Sequence, residues 1–164
     1  AGMSRLDSFI RRLEAQRACL DAAARAVADI PGLVFELGLG NGRTYDHLRS
    51  ALPERQIVVF ERDPQPHPDC WPEEGNLIVG GLDETLPEAT RRWPNGAALV
   101  HSDIGTGDSA RNLRVAANLS RRLPLLLVPG GMVVSDQRLS DPRLEPLPPP
   151  LGVAPDRYFI YRRA

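Results

Sequence analysis

Several devices that would assign a protein to a broad class are missing from this chain. Cysteine is scarce: Cys19 and Cys70 are the two in 164 residues, and they form no CxxC pair. That excludes a disulfide framework. With no His/Cys cluster at ligand spacing it excludes a structural zinc site as well. A reducing cytosol fits this usage, so a cytoplasmic protein is expected. No apolar run reaches the roughly 20 residues that cross a bilayer. The start, "AGMSRLDSFIRRLE", is charged throughout and lacks the apolar centre of a signal peptide. Ala1 and Gly2 ahead of Met3 read as a cloning remnant. An excess of one charge is also missing, with 20 basic residues against 21 acidic ones and a net charge of -1. Without a basic face or tail, neither nucleic acid nor an anionic membrane is an expected partner.

What is present is ordinary globular composition, 42% hydrophobic and 25% charged, enough for one domain over 1–164 with one real core. An amphipathic helix is expected over residues 4–28, within an N-terminal segment 3–30. Leu6, Phe9, Ile10, Leu13, Leu20, Ala24 and Val27 recur there at helical spacing. Ser4 and Asp7 resemble a capping box, and "IPG" ends the helix. This helix could cover a pocket, build a homo-oligomer interface or pack on the sheet; the sequence leaves the three open.

Beyond it the chain alternates. Short apolar runs at 33–37, 56–61, 76–80, 98–103 and 132–136 read as strands. Helix-length segments lie at 42–51, 84–93 and 108–123. Strand–helix repetition predicts a mostly parallel sheet, and continuous apolar runs predict strands buried on both faces. The expected fold is therefore α/β and doubly wound, three layers deep, with helices on both faces. The prolines of "RDPQPHPDCWP" (62–72) forbid a regular helix. Residues 137–155, also rich in proline, are expected to form little regular structure. "DRYFIYRR" reads as a last, antiparallel edge strand, with Tyr158 and Ile160 on one face and Phe159 and Tyr161 on the other.

The densest signal is "VFELGLGNGRTYDHL" (34–48), with glycines at 38, 40 and 42. In such a sheet ligands bind outside the carboxyl ends of the strands, and the first strand–helix turn is the usual place. Glycine lets the backbone turn sharply and lets a ligand approach with no Cβ in the way. An acid, Glu36, precedes the turn, and Glu61 ends the second strand some twenty residues on, where a carboxylate can accept from ribose hydroxyls. These features predict a nucleoside-containing cofactor. The GxGxxG dinucleotide fingerprint is not met: its sixth position is Arg43, too large for close helix–strand packing. No phosphate-cradling GxxxxGK[ST] is present.

"ELGLGNG", the acid closing the second strand, the acidic stretch "GGLDETLP" after the third and "VPGGMVVSD" at the fifth together resemble the class I S-adenosylmethionine-dependent methyltransferases, over about 33–136. The first motif is similar to that of a small bacterial group within them. The resemblance implies a Rossmann-like sheet, S-adenosyl-L-methionine as cofactor and S-adenosyl-L-homocysteine as product. It further implies that Glu36 faces the amino group of the methionine part and that Gly38, Leu39 and Gly40 line that part with backbone. Glu61 would hold the ribose hydroxyls and Arg62 would flank the adenine. Leu82 would contact the adenine, Asp83 would accept from its amino group, and Asp103 would lie near the methionine end and the transferred methyl. The pattern departs in two places: the usual "GD" is stretched to "GGLD", and the region after the fifth strand is short, so the substrate side could be reduced or completed by another subunit.

Methyl transfer needs alignment and exclusion of water more than a nucleophile, and a base only for a protonated acceptor. Asp103 at a strand end and His101 within that strand are the catalytic candidates, ahead of Asp108, Asp136 and His67. Asp108 is better read as a helix N-cap. Asp103, Asp136 and Gln137 are similar to the Asp, Asp, Asn set that holds Mg²⁺ in catechol-type methyltransferases, but Gln replaces Asn and no metal is expected. Trp71 and Trp93 could stack on an aromatic substrate or simply pack. The expected activity is methyl transfer to a small-molecule acceptor. The alternatives are an NAD(P)-dependent oxidoreductase and a non-catalytic cofactor-binding subunit.

Overall fold

The computed structural model describes residues 2–164; Ala1, half of the pair set aside above, lies outside the described residues. Helix α1 (Arg5–Ala26) leads into strand β1 (Leu33–Leu37), α2 (Arg43–Ala51) and β2 (Ile57–Glu61). A single 3-10 turn (Pro68–Cys70) then precedes β3 (Leu77–Val79), α3 (Leu82–Arg92), β4 (Ala97–Ser102), α4 (Ser109–Leu126) and β5 (Leu127–Ser135). Strands β6 (Leu144–Leu147) and β7 (Phe159–Arg163) close the chain. The seven strands form one sheet in the order β3-β2-β1-β4-β5-β7-β6. The first five are mutually parallel, and β7 runs antiparallel to both its neighbours.

Helices cover both faces because the strands are apolar on both. On one face α1 and α2 bury Cys19, Leu20, Ala23, Tyr45 and Leu48 against Val34, Val59 and Leu99. On the other, Leu86 and Ala89 from α3 and Leu119 and Leu123 from α4 meet Phe35, Val58 and Val100. Tyr158 and Ile160 belong to the first core and Phe159 and Tyr161 to the second, as the alternation of the last strand predicts.

Two expectations need correction. Residues 137–155 are not wholly irregular: Leu144–Leu147 is the edge strand β6, and β7 lies inside the sheet between β5 and β6. Pro146 is tolerated because a proline can sit on an edge strand, where its missing N–H deprives no neighbour. The second concerns α1. Leu6, Phe9 and Ile10 share the apolar stripe, yet they stay exposed at 67%, 46% and 43%. With 22 residues, α1 is about 33 Å long, whereas its neighbours β1 and β4 have five and six residues, roughly 17–20 Å. Its first half therefore overhangs the sheet. The overhang lies at the carboxyl edge, since Arg12 reaches Asp103 just past β4 while Val27 receives Arg55 at the opposite edge.

The core can be tested at its aromatic centre. Phe35 is fully buried, with its ring 5.4 Å from that of Phe60 and 5.5 Å from that of Trp93, centroid to centroid. Phe35→Ala should cost about 3–5 kcal/mol in urea unfolding; a loss below about 1 kcal/mol would place the ring outside the core.

Candidate functional site

Strand order reverses beside β1, where the chain passes from β1 outward to β2 and β3 and then back to β4. A cleft of about 620 Å³ opens there, at the carboxyl ends of the strands. Gly38, Gly40, Glu61, Arg62, Leu82, Asp83 and Asp103 all line it. Glu36 and Leu39 do not: both are buried, Glu36 completely.

The three glycines of the first turn do three different things. All have positive φ, at 89°, 53° and 92°. A Cβ on Gly38 would crowd Ile104 and the Asp103 carbonyl at 3.1 and 3.3 Å. A Cβ on Gly40 would meet nothing within 4 Å, because it would project into open space. A Cβ on Gly42 would sit 2.5 Å from the Cβ of Cys70. The proline-rich loop thus braces the turn from behind, helped by His67 N–H donating to the Asn41 carbonyl at 2.9 Å.

Glu61 fixes the turn from the front. Its Oε1 accepts from the N–H groups of Leu39 and Gly40 at 3.0 and 3.2 Å, and its Oε2 accepts from Asp63 N–H at 3.0 Å. Partial burial pushes the carboxyl pKa up, but these backbone donors outweigh it and hold the group below its ordinary value. The carboxylate stays ionised.

Behind the cleft lies a polar chain. Glu36 and His101 are register partners on β1 and β4, both fully buried, with Glu36 Oε1 bonded to His101 Nδ1. His101 Nε2 is 2.7 Å from the Tyr158 hydroxyl, which accepts from Gln16 Nε2 at 2.9 Å. Gln16 also donates to Asp103 Oδ2 at 2.9 Å, and Arg12 pairs with Asp103 Oδ1 at 2.8 Å. Burial alone would lower the imidazole pKa; the adjacent Glu36 carboxylate, with Asp103 and Asp136 beyond, overcomes this and holds it above its ordinary value. Burial pushes the Tyr158 phenol the same way, upward. Glu36 Oε2 is buried with no hydrogen-bond partner, an expensive state for a carboxylate oxygen.

His101 therefore does not reach the cleft, and as a catalytic candidate it needs correction: the ring is enclosed and both its nitrogens are engaged. Asp103 does reach it. Asp136 accepts from Gly105 N–H at 2.8 Å and from Ile104 N–H at 3.4 Å, which turns its carboxylate under that loop. Burial and then the charge of Asp103 raise its pKa. Asp108 caps α4 by accepting from Arg111 N–H at 3.1 Å. His67 accepts from Asp69 N–H at 3.1 Å at the start of the 3-10 turn. Trp93 packs in the core, and Trp71 is exposed. No group of three or more His, Cys, Asp or Glu suited to a metal occurs among the described residues. No helix among them is long and apolar enough to cross a membrane.

Sequence reasoning missed Arg111, Arg114, Val115 and Asn118, which line the cleft from one face of α4. Their spacing of i, i+3, i+4 and i+7 is the available signal. It missed Arg12, Gln16 and Tyr158 too, since nothing local marks a contact across 87 to 142 residues.

A mostly parallel sheet reversing at β1, a glycine turn and an acid ending β2 suit a nucleoside cofactor. Residues 3–163 match the family model described as S-adenosyl-L-methionine methyltransferase. The chain belongs to that family: it is an S-adenosyl-L-methionine-dependent methyltransferase. The crystal structure of an S-adenosyl-L-methionine methyltransferase from Silicibacter pomeroyi DSS-3 is 47% identical, with a TM-score of 0.94 over 99% of this chain and 100% of that one. Human methyltransferase-like protein 13, solved with S-adenosylhomocysteine, shares the fold at 12% identity (TM-score 0.60; 93% of this chain, 80% of that one). MycE of the mycinamycin pathway, solved with Mg and S-adenosylhomocysteine, does so at 16% identity (TM-score 0.59; 88% of this chain, 44% of that one). No curated protein matches the sequence.

Two outcomes test the site's construction. Gly40→Ala, whose Cβ meets open space, should cost roughly 1–2 kcal/mol of stability for its left-handed backbone yet weaken S-adenosylhomocysteine binding at least tenfold. Gly42→Ala should do the reverse, unfolding the protein more readily through the clash with Cys70; calorimetry of both variants with and without ligand separates them. Equal behaviour would refute the assignment of the two glycines. The second test uses pH. A His pKa raised by folding adds stability that is fully present below the unfolded value of about 6.5 and lost as pH rises through the higher folded value. The urea stability of wild type over His101→Gln should therefore be largest near pH 6, at about 3 kcal/mol, and shrink by pH 9. A difference that does not vary with pH would mean His101 is not charged in the fold.

Proposed function

We propose that this methyltransferase acts on a small-molecule acceptor, and that the cleft between the glycine turn and α4 holds both the cofactor and that acceptor. The observation that carries this is the cleft itself. Its volume of about 620 Å³ falls in the range of small-molecule and cofactor pockets, about 300–1,000 Å³. The net charge of -1 supports a small acceptor over nucleic acid. The residues present fit S-adenosyl-L-methionine on two counts. Gly40 leaves open space where a side chain would block approach, and the ionised Glu61 carboxylate on the cleft wall suits ribose hydroxyls, while Glu36 is fully buried behind the turn.

In this reading Glu61 takes the ribose hydroxyls while it pins the turn. Gly38 and Gly40 present backbone to the methionine part, with Leu39 buried behind them. Arg62, Leu82 and Asp83 border the adenine. The bound cofactor supplies an electrophilic methyl on a sulfonium. The protein's share is to align the acceptor with it and keep water out. Asp103 is the group best placed to accept an acceptor's proton: it borders the cleft, and Arg12 and Gln16 fix both its oxygens. His101 acts through this chain as a positioning residue. Asp103, Asp136 and Gln137 are a poor metal set, because the first two carboxylates already serve protein donors.

Thermal shift tests the reading, since a ligand that binds the native state raises its stability. S-adenosylmethionine and S-adenosylhomocysteine should raise the melting temperature, and NAD⁺ and NADP⁺ should leave it unchanged. Glu61→Ala should weaken S-adenosylhomocysteine at least tenfold. Stabilisation by NAD⁺ alone would favour the oxidoreductase alternative, and unchanged affinity of Glu61→Ala would move the ribose elsewhere.

A further inference from the structure

Arg111 and Arg114 have no evident work within the protein. Both line the cleft from the first two turns of α4. A cation there opposes the helix dipole, whose positive end lies at the N-terminus, so the placement opposes the helix's own stability. Neither guanidinium forms an ion pair among the described residues. Arg111 Nη1 is moreover buried without any hydrogen-bond partner, although a charged donor shut away from water ordinarily finds one.

The acids of the cleft do not answer them. Asp103 serves Arg12 and Gln16. Glu61 serves three backbone N–H groups. Asp83 faces the Asn118 amide at 3.5 Å. Nor does the cofactor fully answer them: an ammonium and a sulfonium against one carboxylate give it a net charge of +1. Filling the cleft with cofactor adds positive charge beside the half-buried Arg111, while Arg114 next to it is exposed to water. Arg111 and Arg114 lie three residues apart, so their side chains stand side by side on the helix, a spacing that suits a two-handed grip on one oxyanion.

We infer that the acceptor of this methyltransferase is an anion, and that Arg111, seconded by Arg114, binds its carboxylate or phosphate group. This rests on the functional reading above and adds the acceptor's chemical class to it.

The test separates the two. S-adenosylhomocysteine is first titrated calorimetrically into wild type, Arg111→Ala, Arg111→Lys and Arg114→Ala. The saturated proteins are then titrated with sodium phosphate and, separately, sodium propionate, at ionic strength held constant with chloride. At least one anion should bind wild type saturably. Its affinity should fall tenfold or more in Arg111→Ala, fall less in Arg111→Lys, and fall a few-fold in Arg114→Ala. Phosphate alone binding points to a phosphorylated acceptor, and propionate alone to a carboxylic acid. The inference is overturned if neither anion competes with chloride, or if Arg111→Ala binds them as wild type does. It is also overturned if Arg111→Ala weakens S-adenosylhomocysteine tenfold while leaving its decarboxylated analogue unaffected, because Arg111 would then hold the cofactor's own carboxylate. Wild type that fails to bind S-adenosylhomocysteine fails before any anion is added, and that outcome removes the functional reading and the inference together.

Discussion

The arrangement turns on two charged groups shut inside the sheet. Glu36 and His101 face each other on adjacent strands, both fully buried. Breaking such a pair by removing one partner typically costs about 3–5 kcal/mol, because the survivor stays buried and unanswered. The second nitrogen of the imidazole must also be satisfied, and the Tyr158 hydroxyl does this from the neighbourhood of β7. Tyr158 in turn takes Gln16 from α1, and Gln16 reaches Asp103. One buried pair thereby recruits both outer parts of the chain to the carboxyl edge of the central strands. The requirement also explains why α1 is an integral layer of the fold, while its exposed first half projects past the sheet beside the cleft.

The legible parts of the molecule are those that local pattern controls. The apolar runs and the periodic segments between them marked the strands and helices, because burial on two faces demands apolar residues in β1, β2 and β4; β3, at the sheet edge, is only partly buried, and β5 starts at Leu127, ahead of its apolar run. The capping residues Ser4 and Asp108 were readable because each side chain accepts a backbone N–H only three residues on. Strand β6 was hidden by its prolines, which an edge position forgives. The exposure of Leu6, Phe9 and Ile10 was hidden because an apolar stripe records spacing and not how far the opposing sheet extends. The glycine turn was legible as a turn, but the sequence could not apportion its glycines. Gly42 answers to Cys70, nearly thirty residues on, and only Gly38 and Gly40 border the cleft. Acids at strand ends stood out; Arg111 and Arg114 did not, since an arginine on an exposed helix usually needs no explanation.

The protein also separates two uses of a carboxylate. Glu61, held by backbone donors, stays ionised and shapes the turn it serves. Asp136, buried near Asp103, is pushed toward its neutral form. Burial and the charge of Asp103 raise the Asp136 pKa, and the N–H groups of Gly105 and Ile104 work against that rise.

The bond from Gln16 to Tyr158 spans 142 residues, and that from Arg157 to the Ser8 carbonyl spans 149. Closing so long a loop forfeits chain entropy that local contacts never face, and contacts of high sequence separation slow folding. Asp103 receives its two donors from α1, which the Tyr158 contact helps to seat. A chain with its sheet formed but this clasp still open would therefore carry the glycine turn with Asp103 not yet held. The docking of α1 onto Tyr158 is then what brings Asp103 its two donors, and it comes only once the distant ends of the chain have met.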